Sequence, residues 1–148
     1  MKKSSFMIIV LVFSLFACAQ KPPKNVADQF AAKFPAITKV AWDQEEPGEW
    51  EAEFKMNGTE ASASFDNNGN WLETEQEVKK KDLPALVREA VDAAYKDWSI
   101  EEVVSIETPD FTGYEFGIKK GKTEMEILVS PDGKITVKKE GEGDEGKK

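Results

Sequence analysis

The stretch Glu49-Trp50-Glu51-Ala52-Glu53-Phe54-Lys55-Met56-Asn57-Gly58-Thr59-Glu60-Ala61-Ser62-Ala63-Ser64-Phe65 decides the fold. Trp50, Ala52, Phe54 and Met56 alternate with Glu49, Glu51, Glu53 and Lys55. Ala61, Ala63 and Phe65 then alternate with Ser62 and Ser64. A period of two puts the apolar set on one face of a strand and the polar set on the other. Asn57-Gly58 between the runs is a strong hairpin signal, because a type I′ turn needs positive φ at both central residues. The stretch predicts an antiparallel hairpin with one apolar face, which must be buried, and one carboxylate-rich face.

Upstream, Val40 and Trp42 open a strand. Before it, Val26, Phe30 and Phe34 fall at i, i+4 and i+8, with Ala27 and Ala31 beside them. That is one stripe of a short helix, which Pro35 stops. Downstream, Asp66-Asn67-Asn68-Gly69-Asn70 turns the chain, and Trp71 to Val78 returns as a further strand.

The same order then recurs. Val87, Val91 and Tyr95 make a second helical stripe after Leu83-Pro84, with Asp82 expected as its N-cap. Val104 and Ile106 open a strand. Tyr114, Phe116 and Ile118 alternate with Glu115, Gly117 and Lys119, and Lys120-Gly121-Lys122 turns. Met125, Ile127 and Val129 alternate with Glu124, Glu126 and Leu128. Pro131-Asp132-Gly133 turns again before Ile135 and Val137. The helices match 61 positions apart (Val26 with Val87) and the strands 64 apart (Trp50 with Tyr114, Gly69 with Gly133). Such recurrence signals a duplicated unit. The expected fold is α+β: a tandem repeat of one helix and three to four antiparallel strands, forming one sheet with both helices on one face. The other face should be solvated and present Glu49, Glu51, Glu53, Ser62, Ser64, Glu115, Lys119, Glu124 and Glu126.

Composition narrows the chemistry. The 148 residues hold 20 Lys+Arg against 28 Asp+Glu, one Cys and no His. Absent His removes Ser-His-Asp and Cys-His nucleophile systems and His-ligated zinc. A single Cys removes an internal disulfide framework. The acid excess argues against nucleic acid as a partner. Lys2, Lys3 and the apolar run Phe6 to Phe16 read as an export signal, too short to span a bilayer. Leu15-Phe16-Ala17-Cys18 looks like a lipobox, which would make residues 1–17 a cleaved signal and Cys18 the lipidated first residue. Ala17-Cys18-Ala19 also has the form of an ordinary cleavage site. Residues 18–22 read as a linker, 23–80 and 81–138 as the two repeats. Residues 139–148 read as a disordered charged tail.

These residues resemble the PepSY-like family of exported bacterial proteins, related in fold to the beta-lactamase inhibitor protein. The first copy carries the resemblance in Pro23-x-x-Val26-x-x-x-Phe30-x-x-x-Phe34-Pro35, Val40-x-Trp42, Trp50-Glu51-Ala52-Glu53-Phe54 and Phe65-Asp66-x-x-Gly69-x-Trp71. The second carries it in Leu83-Pro84-x-x-Val87, Tyr114-Glu115-Phe116 and Pro131-Asp132-Gly133-Lys134. It covers nearly all of residues 22–139. The second copy departs from the pattern with Trp98 in place of the helix-following Pro and Gly117 in mid-strand. The resemblance implies a tandem inhibitor-type fold, no catalytic residues, and an open sheet face that grips a partner.

Two other chemistries match part of the residue spacing. Glu49, Glu51 and Glu53 stand roughly 6.5–7 Å apart along a strand, which overlaps the carboxylate spacing of inverting glycosidases. They alternate with core residues and should face water, where no general acid acquires a raised pKa. Asp66, Asn68, Asn70 and Glu77 occupy positions 1, 3, 5 and 12 of a calcium-loop spacing, but Trp71 stands where that loop needs Gly. A hairpin turn accounts for them. The expectation is a non-enzymatic envelope binding module, an inhibitor of or adaptor for an exported protein. It would have no catalytic residues, no metal site and no cofactor. Its partner would be a basic protein or peptide, met on Glu49, Glu51, Glu53, Glu115, Lys119, Glu124, Glu126 and the rim aromatic Trp71. It would be exported to the periplasm or outer membrane, touching the membrane only through lipid at Cys18. The rival readings are a weak calcium-binding or carboxylate-dependent hydrolytic protein, and a structural envelope lipoprotein.

Overall fold

The structure, a computed structural model, describes residues 20–142. The export segment, Cys18 and the last six residues lie outside the described range. The chain runs α1 (Lys24–Lys33), β1 (Val40–Glu46), β2 (Glu49–Met56), β3 (Thr59–Asp66) and β4 (Trp71–Glu77). A 3-10 turn at Lys80–Asp82 leads into α2 (Ala85–Ala94), β5 (Ser99–Glu107), β6 (Thr112–Lys120), β7 (Thr123–Val129) and β8 (Ile135–Glu142). The fold is α+β, with a single eight-stranded antiparallel sheet in the order β1 to β8. Residues 20–77 with 105–112 form one compact unit, and residues 78–104 with 113–142 form the other.

In the first unit, Pro23 precedes α1 and its carbonyl accepts the first helical bond from Ala27 N–H at 3.1 Å. Val26 and Phe30 are the buried helical residues. The Phe30 ring stands edge-on to Phe54 at 5.2 Å and to Trp42 at 5.3 Å, a geometry that aromatic quadrupoles favour. Ala52, Ala61 and Ala63 are buried in the same cluster, and their small side chains leave room for the helix on the strands. Asn57 (φ 54°) and Gly58 (φ 81°) adopt the positive φ that the β2–β3 hairpin requires.

The second unit builds an aliphatic core. Val87 and Val91 of α2 pack with Phe116, Ile118, Ile127 and Val129. Pairing of β6 with β7 runs from Tyr114↔Val129 to Lys120↔Thr123 without a break, so Gly117 does not disturb it.

One glycine in each unit makes a close approach to its helix. Gly69, at φ +84°, sits where a Cβ would lie 3.2 Å from Asn25 O and 3.1 Å from Gln29 Cγ of α1. Gly133, at φ +85°, places the same vector 3.1 Å from Leu86 O and 3.3 Å from Ala90 Cβ of α2. Both turns close alike. Asp66 N–H donates to Asn70 O at 2.9 Å, and Ser130 N–H donates to Lys134 O at 3.0 Å.

Two expectations are corrected. Asp82 is not the N-cap of α2. Pro84 holds that place at φ −54°, ψ 143°, and Asp82 closes the preceding turn by donating its N–H to Lys79 O. Residues 139–142 of the expected tail are strand instead, because β8 continues through Glu142 with Thr123↔Glu142 in register, and residues 143–148 lie outside the described range. Ladder pairing is made by the backbone and needs no apolar side chain.

Candidate functional site

The face of β1–β4 turned away from α1 is assembled by register. Asp43 pairs with Glu51, Glu51 with Ser64 and Ser64 with Glu73; one step along, Ala41 pairs with Glu53, Glu53 with Ser62 and Ser62 with Glu75. Directly opposed residues share a face. The result is a column of serines on β3 between glutamate columns on β2 and β4. Neighbouring strands lie about 4.8 Å apart, so the glutamate columns are about 10 Å apart. That is comparable to a Debye length of about 8–10 Å, so their fields are only partly screened from one another. β1, β2 and β4 carry three acids each and β3 two, against one lysine, Lys55. Lys55 reaches Glu60 at 2.8 Å, and that hydrogen bond raises its pKa above the ordinary lysine value.

The matching face of β6–β8 differs. Lys119 Nζ lies 2.7 Å from Glu124 Oε1, opposite it in register. Hydrogen bonding to Glu124 raises the Lys119 pKa. Lys138 Nζ reaches across the strands to Glu115 Oε2 at 2.7 Å. Glu126 pairs with Gly117 on one side and Lys139 on the other. This face mixes signs, whereas the face of β1–β4 is anionic.

The expectation of a fully solvated face is corrected. Ser62, Ser64 and Glu115 are buried, at 4%, 7% and 8% exposure, while Glu49, Glu51, Glu53, Lys119, Glu124 and Glu126 are half-buried. The serines are short and stand between longer glutamates on both flanking strands, which overhang them. Glu115 is covered in making its bond to Lys138. Glu73 and Glu75, not singled out from sequence, belong to the same face; Glu75 is 3% exposed. Their signal was the alternation Glu73-x-Glu75-x-Glu77, readable once Trp71 to Val78 is a strand.

Trp71 does not join these carboxylates. A register shift after Ser64 sets Phe65 opposite Trp71 and turns the indole to the helix side, where it packs against the core. Its Nε1–H donates to Thr74 Oγ1 at 3.0 Å, and Lys33 Nζ sits 3.5 Å from its ring centroid. Trp71 is therefore half-buried, as its place at a strand start predicts, but stands on the other face.

The calcium-like loop is a structural turn. Asp66 Oδ1 accepts from Asn68 N–H and Asn70 N–H, each at 2.8 Å, and Oδ2 accepts from Asn70 Nδ2 at 2.8 Å. These donors, Asn70 foremost, lower the Asp66 pKa. Asn67 locks the turn outward: its Oδ1 accepts from Trp50 Nε1 and its carbonyl accepts from Asn25 Nδ2. Among the described residues no three His, Cys, Asp or Glu side chains converge as a metal site, and no helix is long and apolar enough to cross a membrane.

A family model described as beta-lactamase-inhibitor-like and PepSY-like matches residues 48–137. Solved structures share the fold. A BLIP-like protein from Bacteroides fragilis superposes with a TM-score of 0.74 at 25% identity, over 87% of this chain and 93% of that one. A DUF2874-family protein from Bacteroides ovatus gives 0.71 at 25% identity, over 83% and 89%. A Bacteroides eggerthii protein described as periplasmic gives 0.69 at 21% identity, over 83% and 90%. No curated protein matches in sequence.

Proposed function

The chain belongs to the PepSY-like, beta-lactamase-inhibitor-like family, and from that premise we propose that it is a non-enzymatic binding module of the cell envelope. It docks a basic protein or peptide on the carboxylate face of β1–β4. The observation that carries this reading is the register that aligns Glu51 with Glu73 and Glu53 with Glu75 across a serine column. Carboxylates gathered on one face are complementary to a cationic partner. Glu49, Glu51 and Glu53 form the centre of the contact. Glu115, Lys119, Glu124 and Glu126 add a mixed-sign surface that contributes orientation more than attraction, because cross-strand pairs already satisfy much of its charge. The partner is an exported protein that this module inhibits or adapts. Export is supported by Lys2, Lys3 and the apolar run before Cys18, where lipid attaches. We read the two halves as copies of one αββββ unit, on the strength of the paired helix contacts of Gly69 and Gly133.

The test is retention of envelope proteins on immobilised wild type and on the Glu51→Gln, Glu53→Gln double variant at low ionic strength. A basic protein should bind wild type, elute as salt rises and escape the variant. Retention that ignores both salt and the substitutions would remove the carboxylate face from the account. Palmitate incorporation into wild type but not Cys18→Ser checks the anchor.

A further inference from the structure

The sheet's outermost strand on one side is β1. An outermost strand offers unpaired backbone groups to other chains unless something covers them. Gln20 lies against this one. Its backbone N–H donates to Trp42 O at 3.1 Å, and its side-chain Nε2 donates to Asp43 Oδ1 at 3.0 Å. Lys21-Pro22-Pro23 connects it to α1, and the two prolines hold the connection extended. In the other direction Gln20 stands only two residues after Cys18. Two extended residues reach at most about 7 Å. A free flexible tether of ten residues would instead wander over roughly 17 Å.

We infer that Gln20 is a latch that ties the membrane anchor to β1 and holds the β1 edge at the bilayer surface. The inference rests on the proposed lipidation of Cys18. It defines the reach of the docking face. Strands spaced about 4.8 Å apart place β2 to β4 within about 15 Å of β1, so the carboxylates meet a partner that is itself seated at the membrane. Anionic headgroups do not compete, since like charges repel.

Proximity to lipid tests the latch. Ala41 is exposed on β1. With Cys18 blocked by lipid, Ala41→Cys provides the sole thiol for a fluorophore on the full lipidated chain. In phosphatidylcholine vesicles carrying a headgroup quencher, the native spacing should give strong quenching. Inserting twenty Gly/Ser residues between Ala19 and Gln20 should weaken it about threefold or more, as the tether lengthens to roughly 25 Å. Gln20→Pro, which removes both donors, should fall between. Equal quenching in the native and lengthened chains, with palmitate incorporated in both, overturns the latch and leaves the anchor standing. Failure of wild type to incorporate palmitate overturns both.

Discussion

Replacing Gly69 with Ala tests how the helix is held. The residue sits at φ +84°, and an added methyl would lie 3.2 Å from Asn25 O and 3.4 Å from Asn25 C, both backbone atoms of α1. Two costs apply. A side chain at positive φ costs about 1–2 kcal/mol. Forcing an extra carbon against an unyielding helix backbone costs about 1–3 kcal/mol more. The loss of unfolded-state freedom returns about 0.4–1 kcal/mol, leaving a net destabilisation of about 1–4.5 kcal/mol, centred on about 3. Gly58 is the internal control. It has nearly the same φ, +81°, but nothing within 4 Å of the added Cβ, so Gly58→Ala should cost only about 1 kcal/mol. Urea denaturation followed by circular dichroism measures both, with the slope checked for constancy. The difference between the variants isolates the helix contact. Equal losses would show that the contact is incidental and that only the backbone conformation of the turn matters.

Other expectations follow from the same geometry. The Asp66 pKa is lowered by its turn donors, so its contribution to stability is present above the unfolded value near 3.9 and lost as pH falls through the folded value. The stability gap between wild type and Asp66→Asn should therefore be open at pH 6 and close progressively below about pH 4 in a pH series of melts. Lys138→Met removes the partner that Glu115 meets at 2.7 Å while Glu115 stays buried. A loss of about 1–3 kcal/mol by denaturation is expected. Trp71→Ala removes a core-packing indole with its bond to Thr74 and its contact with Lys33. It should cost about 2–4 kcal/mol by denaturation yet leave partner retention unchanged, because Trp71 faces away from the carboxylates.

Much of this architecture was legible in the chain. The alternation around Trp50, Ala52 and Phe54 fixed the inward face, and Asn57-Gly58 fixed the hairpin, because each reports a local backbone requirement. The degree of burial was less legible. A period of two tells which face Ser62 or Glu115 occupies, but not how far longer neighbours on adjoining strands overhang it. Core packing is the default expectation for Trp71, and it holds; its separation from the carboxylates of its own strand was not legible, because the register shift after Ser64 depends on a pairing partner and not on neighbours in sequence. The extension of β8 through Glu142 was hidden for a related reason: the charged residues there show no apolar pattern, while backbone pairing to Thr123–Glu126 requires none. Family resemblance and fold agreed with these residue-level readings and added the idea of a gripping face. The register, in turn, moves the weight of that face onto β2 and β4, where Glu73 and Glu75 join Glu51 and Glu53.

The most direct measurement is photo-crosslinking in intact cells from a probe residue at Glu53, compared with one at Leu86, exposed on α2. The account predicts a discrete adduct with a basic envelope protein from position 53, diminished by Glu51→Gln with Glu73→Gln, and none of that adduct from position 86. The same adduct from position 86 alone, or from both positions regardless of the substitutions, would contradict it.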